Sequence, residues 1–144
     1  MIVIKESKIR NFAIRKSLSK DNIDDDHYFL EFGVWKGESI NKFSTFLKNR
    51  KIYGFDSFVG LKDDWSGTTA LRGEFNLKGL LPKFEKNVVP IKGWVQDTLP
   101  DFIKKDNLKI CFVHMDLDTY ESSRFVLESI KKFLTDGSII IFDQ

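Results

Sequence analysis

Ile110-Cys111-Phe112-Val113-His114-Met115-Asp116-Leu117-Asp118-Thr119-Tyr120 decides how this chain is read. The apolar run Ile110 to Val113 leads into two carboxylates within three residues, and a long amphipathic stretch follows. A strand covered on both faces is apolar throughout, whereas a surface helix needs only one apolar stripe, so the pattern is that of a buried parallel strand feeding a helix. In such sheets ligands sit outside the carboxyl ends of the strands, where Asp116 and Asp118 fall. Acids between a strand and a helix also cap helices, and Asp118 or Thr119 fits that role as well as a chemical one. His114 lies two residues before Asp116 and points to the same face. It reads as a satisfied core histidine and stays outside the metal set.

The same alternation extends in both directions. Downstream, residues 120 to 135 place Val126, Ile130, Phe133 and Leu134 on one helical stripe, closed by Gly137 as a left-handed cap. Ser138 to Phe142 is the fifth strand, ahead of Asp143-Gln144. Upstream, Tyr28 to Phe32 is the first strand, followed by a turn from Gly33 to Gly37 and a helix from Glu38 to Arg50 with Ile40, Phe43, Phe46 and Leu47 at helical spacing. Lys51 to Asp56 is the second strand, Val88 to Gly93 the third, Asp97 to Lys105 a helix, and Leu108 to Asp116 the fourth strand. Residues 1–27 form an arm whose helix, residues 5 to 19, carries Ile9, Phe12, Ala13 and Ile14 among Lys and Arg; a packing helix is favoured over an arm across the ligand site. The glycine-broken, aromatic segment 57–87 reads as a lid-like insertion. The whole, 1–144, is a single α/β domain: a doubly wound parallel sheet with right-handed crossovers and strand order 3-2-1-4-5.

Composition narrows the function. The 23 basic and 21 acidic residues are mixed along the chain and leave a net charge of +2, which offers no case for nucleic acid as main partner. With 42% hydrophobic residues and 14 Phe, a folded domain with an aromatic core is expected. The one cysteine, Cys111, excludes an internal disulfide and reads as a small core residue in a reducing, cytoplasmic setting. Charges at Lys5, Glu6, Lys8 and Arg10 interrupt any signal-peptide core, and no segment approaches the ~18 apolar residues of a membrane span.

Every strand end carries a distinctive residue: Glu31 and Gly33, then Asp56, then Gly93 with nearby Asp97, then Asp116 and Asp118, then Asp143. In the order 3-2-1-4-5 the first and fourth strands meet where the order reverses, so Gly33 and Asp116 flank one crevice. Gly33-x-x-x-Gly37 lacks the spacing of a dinucleotide site, which disfavours a nicotinamide enzyme. Asp56 follows Gly33 at about the 20-residue spacing of an acid that binds ribose hydroxyls, pointing to a nucleoside-bearing cofactor without a pyrophosphate cradle. Asp116, Asp118 and Asp143 offer hard oxygen ligands from adjacent strands, which suits magnesium or a similar ion.

Four segments carry a resemblance: Phe29 to Ile40 (FLEFGVWKGESI), Tyr53 to Leu61 (YGFDSFVGL), Gly93 to Pro100 (GWVQDTLP) and His114 to Ser123 (HMDLDTYESS). In order and content they resemble the macrocin O-methyltransferase family of class I S-adenosylmethionine-dependent methyltransferases. The resemblance implies a Rossmann-like fold and transfer of a methyl group to a hydroxyl of a small-molecule acceptor, commonly a sugar on a natural product. It further implies that Glu31, Gly33 and Asp56, with Gly37, Ser57, Asp97 and Asp116, hold S-adenosylmethionine. Asp116 and Asp143 would hold Mg2+, with Gln144 where relatives commonly have a second acid, and Asp118 would be the general base. The family fold usually continues into a sixth and seventh strand. The expectation is therefore a truncated sheet: either a shortened piece of a longer chain, or a naturally truncated member whose fifth-strand edge pairs with a second copy to give a homo-oligomer. The alternative function is a catalytically impaired cofactor-binding module or partner subunit.

Overall fold

Five strands, β1 (His27–Phe32), β2 (Ile52–Asp56), β3 (Val88–Lys92), β4 (Lys109–Met115) and β5 (Leu134–Phe142), pair in the order β3-β2-β1-β4-β5. Every pairing is parallel. This is a computed structural model, and it describes residues 6–19, 23–60 and 76–143. The helices are α1 (Glu6–Leu18), α2 (Glu38–Leu47), α3 (Val95–Phe102) and α4 (Tyr120–Ile130). None among the described residues is long and apolar enough to cross a membrane.

The sheet is covered on both faces. Phe29, Ile52, Val88 and Phe112 pack with Ala13 and Ile14 of α1 and with Ile40, Phe43 and Leu47 of α2 on one side. Leu30, Phe32, Phe55, Val113 and Met115 pack with Leu99 and Phe102 of α3 and with Val126 and Ile130 of α4 on the other. Removal of these side chains from water, at roughly 25 cal/mol per Å² of apolar surface, is the main term favouring this arrangement. Aromatic rings fill both faces: Phe102 meets the Tyr53 and Phe55 rings edge-on on the α3 side, with centroids 5.2 Å apart in both pairs, and Phe43 meets Phe112 edge-on at 5.1 Å on the α2 side.

One irregularity positions the site. In β4 the register runs Tyr28↔Ile110 and then Phe29↔Phe112, so Cys111 is an extra residue, opposed by none in β1. A one-residue bulge reverses which face every later side chain takes. Beyond it Phe112 and His114 share the α1/α2 face with Phe29 and Glu31, and His114 stands directly opposite Glu31. Cys111 is buried, as expected of a small core residue.

Two expectations need correction. The helix after Tyr120 ends at Ile130 and passes through a 3-10 turn, Lys131–Phe133, so Phe133 and Leu134 do not continue its stripe. Leu134 is extended and pairs with Ile110, a ladder position that an isolated apolar run cannot reveal. Gly137 is left-handed, φ +70°, yet it is not a helix cap. It lies where β5 loops out between Leu134, opposite Ile110, and Ile139, opposite Phe112. The Ser138 hydroxyl ties that loop to β4, 2.7 Å from the Ile110 carbonyl.

α1 is a packing helix, but a different face is inside. Ala13, Ile14 and Ser17 are buried, whereas Ile9 and Phe12 are exposed. The insertion is described at residues 57–60 and 76–87. There Val59 and Asn76 form an antiparallel bridge, and Leu77 and Gly79 donate backbone N–H groups to the Phe58 carbonyl. Trp65, Gly67, Gly73 and Phe75 lie outside the described residues, as does Gln144.

Candidate active site

The crevice forms where the strand order reverses. Gly33 leaves β1 with φ +86° and donates its N–H to the Phe55 carbonyl at 3.0 Å. Asp116 donates its own to Phe32 at 2.8 Å. The glycine turn therefore lies against the end of β4, so close that a Cβ on Gly33 would stand 2.0 Å from the Asp116 carbonyl oxygen. Asp56, at the end of β2, secures the turn. Its Oδ2 accepts the N–H groups of Val34 at 2.7 Å and Trp35 at 2.8 Å, and its Oδ1 accepts that of Phe58 at 2.6 Å. A carboxylate oxygen has two lone-pair sites, so among the described residues Oδ1 keeps one for a ligand hydroxyl.

Asp116 and Asp118 leave the end of β4 half-buried. Burial pushes the Asp118 carboxyl up to about 6, with the charges of Asp116 and Asp56 adding to it. Burial likewise raises Asp116, where the nearby Asp143 charge adds to it and His114 opposes it. Three carboxylates thus converge on the glycine turn, a concentration of negative charge suited to a positively charged ligand. The capping question resolves at Thr119, whose hydroxyl accepts the Ser122 N–H at 3.3 Å at the start of α4. Thr119→Ala is expected to cost about 1 kcal/mol, seen as a fall of roughly 3 °C in thermal unfolding.

A second group lies on the α1/α2 face. His114 has no exposed surface, and its Nδ1 is 3.0 Å from Glu31 Oε2 while its Nε2 is 3.0 Å from Asp143 Oδ2. Glu31 is equally buried, and its other oxygen accepts the Ser39 hydroxyl at 2.8 Å. Asp143 also accepts from the Arg10 guanidinium of α1. Burial pulls the His114 ring down, but the two facing carboxylates outweigh it and raise it above its ordinary value. Asp143 moves the other way: burial pushes it up, and the bonds from His114 and Arg10 hold it below the usual carboxylate range.

His114, Asp116 and Asp143 each present a donor atom within 4.8 Å of the others, so among the described residues these three could hold a metal ion, with His114 in place of Asp118 from the oxygen set taken from sequence. Opposite ligands of one small cation are about 4 Å apart, so these donors fit a single ion after a shift of about half an ångström. Two signals belonged together: the period of two placed His114 with Asp116, and the bulge, invisible in sequence, placed it against Glu31.

Glu31 lies beneath the turn, with both oxygens engaged by protein groups and no surface in the crevice. Gly37 precedes α2 against the Phe84 ring. The Ser57 hydroxyl is held within its own turn, 3.2 Å from the Gly60 carbonyl. Asp97 is exposed in the first turn of α3.

Residues 30–144 match a family model described as a methyltransferase domain. A curated relative, the 8-demethyl-8-(2,3-dimethoxy-alpha-L-rhamnosyl)-tetracenomycin-C 4'-O-methyltransferase of Streptomyces olivaceus, is 27% identical over 137 residues, taking in 80% of this chain and 51% of the relative. The chain thus spans about half the length of that relative. A solved structure of the calicheamicin methyltransferase CalS11 superposes with a TM-score of 0.75 at 27% identity, over 94% of this chain and 62% of that one. A second, described as CalS11, TDP-rhamnose 3'-O-methyltransferase, shares the fold with a TM-score of 0.66 at 24% identity, over 95% and 61%.

Proposed function

The chain belongs to a family of methyltransferase domains, and from that premise we propose that it transfers a methyl group from S-adenosylmethionine to a sugar hydroxyl of a small-molecule glycoside in the cytoplasm. The observation that carries this reading is Asp118: a half-buried carboxylate just past the end of β4, near enough to Asp116 and Asp56 that their charges add to the burial that raises it to about 6. The relatives' names supply the acceptor class, a rhamnose hydroxyl.

The residues fit the cofactor. Gly33 lets the turn close on the end of β4, so that the cofactor would lie along turn backbone, and Asp56 Oδ1, which takes one bond from the described residues, would take a ribose hydroxyl. The acids around the turn suit the positive sulfonium and amino groups. Bound S-adenosylmethionine supplies an electrophilic methyl and a neutral thioether leaving group. Asp118 would accept the acceptor hydroxyl's proton as the oxygen attacks the methyl carbon and the carbon–sulfur bond breaks. A carboxyl that titrates near 6 keeps more proton affinity than an exposed aspartate and is still ionised at neutral pH. Asp116 and Asp143 would hold a divalent cation, which lowers the hydroxyl's pKa. The rigid turn and strand ends keep the reacting groups in line, an effect worth several kcal/mol in well-oriented reactions.

Calorimetry with S-adenosylhomocysteine tests the cofactor, and transfer of a labelled methyl group to TDP-rhamnose tests the acceptor. Saturable binding followed by a methyl ether on the sugar is expected. No heat at millimolar ligand would remove the reading. Binding without transfer to any sugar would leave a cofactor-binding module.

A further inference from the structure

We propose that His114, Asp116 and Asp143 form a mixed nitrogen and oxygen cation site that selects a later first-row ion such as Co2+ or Zn2+ over Mg2+. Glu31 fixes the imidazole, and Arg10 holds Asp143 in the ion's absence. The inference deepens the reading of the β4 and β5 ends as the place where a cation assists the acceptor.

The case rests on how His114 is held. The ring is buried, with the Phe43 ring edge-on at 5.2 Å, and it cannot swing away to solvent. Its Nδ1 faces a carboxylate that is itself held by Ser39. As the chain stands both ring nitrogens face carboxylates, Nδ1 toward Glu31 and Nε2 donating to Asp143; an ion that takes the place of the Nε2 proton leaves Nδ1–H on Glu31, the arrangement found behind metal-bound imidazoles. Nε2 here points to Asp143, within 4.8 Å of the Asp116 and Asp143 donors. Glu31 is thereby accounted for. A fully buried carboxylate is costly unless it serves a partner, and the partner it serves is this ring.

The donor types decide the ion. Mg2+ prefers oxygen and gives up water reluctantly, whereas imidazole suits the later first-row ions, Fe2+ through Zn2+, Co2+ among them. Arg10 adds a competitor: its guanidinium is already on the Asp143 oxygen that faces Nε2. An ion arriving there must displace that guanidinium from Asp143. Without Arg10, both kinds of ion should bind more tightly.

The experiment is equilibrium binding of the metal alone to the whole chain, without cofactor or acceptor. In the wild type Co2+ is expected to bind more tightly than Mg2+. His114→Gln should cut the Co2+/Mg2+ affinity ratio about tenfold or more, and Arg10→Met should raise both affinities several-fold. The chain has only two histidines, so 15N-histidine NMR of the wild type gives a reading independent of whether His114→Gln folds. On Zn2+ addition the Nε2 resonance of His114 should move by tens of ppm while its Nδ1 stays protonated and His27 stays put. Saturable ion binding that leaves the His114 nitrogens unmoved, or a ratio unchanged in His114→Gln, overturns the site, as does the absence of any binding at millimolar metal. If S-adenosylhomocysteine binds while the ions do not, this inference and the cation's part in the reaction fall, and the cofactor reading stands. If the ions bind as described and S-adenosylhomocysteine does not, only the methyltransferase reading falls.

Discussion

Asp118→Asn should abolish methyl transfer while making the protein more stable at neutral pH. An amide of the same shape cannot take the acceptor's proton, and loss of a positioned base costs about 10²- to 10⁴-fold in rate. The stability gain follows from the direction of the shift. Burial, with the charges of Asp116 and Asp56, raises the folded-state value from 3.8 to about 6, so it is the ionised form that the native state disfavours. That penalty is absent below pH 4, grows between pH 4 and 6, and is full above 6. The asparagine removes it. For a half-exposed group, solvent screening reduces the gain to about 1 to 2 kcal/mol, or roughly 3 to 6 °C at pH 7.5, with the two proteins converging at pH 4. Calorimetric melts at both pH values, with chelator present, check the sign. A variant that is less stable at pH 7.5 would contradict the electrostatic account. In the wild type, turnover should rise with pH as the base ionises and then level off, through about 6 with chelator present and at lower pH with a cation on Asp116.

Gly33→Ala should do the opposite, losing stability and cofactor binding together. The added Cβ would lie 2.0 Å from the Asp116 carbonyl oxygen and 2.7 Å from its carbonyl carbon, both backbone atoms held by the β1–β4 ladder. The residue also keeps φ +86°, a conformation that alanine adopts only with strain. Turn and strand end must separate, at a cost of about 3 kcal/mol or more, and thermal unfolding should fall by about 10 °C. Gly54→Ala is the comparison. Its Cβ would meet the Ile40 Cδ1 at 2.5 Å and the Val34 Cγ2 at 2.8 Å, side-chain atoms that yield more readily than backbone, so about 1 to 2 kcal/mol is expected. If calorimetry shows S-adenosylhomocysteine binding equally well to Gly33→Ala and wild type, the turn is not the cofactor cradle.

The sheet was legible because its evidence is local. Runs such as Ile110 to Val113 are apolar at every position, which parallel strands buried on both faces require, and the intervening helices show their stripes within ten residues. The same locality misled at Phe133 and Leu134. Helix and strand burial look alike over so short a run, and only pairing with Ile110 drew Leu134 into β5.

Sequence alone thus determined the parallel α/β order, the crevice at the switch between β1 and β4, and the acids that stand around it, since strand ends and their residues follow from chain order. Tertiary structure alone decided the partners. The extra residue at Cys111 turns His114 toward Glu31, and the seating of Ala13 and Ile14 brings Arg10 from α1 onto Asp143 at the far end of the chain. A bulge is one residue of register and a salt bridge one contact between distant segments. Neither leaves a periodic trace in the sequence, and both exist only once the two faces of the sheet have been packed.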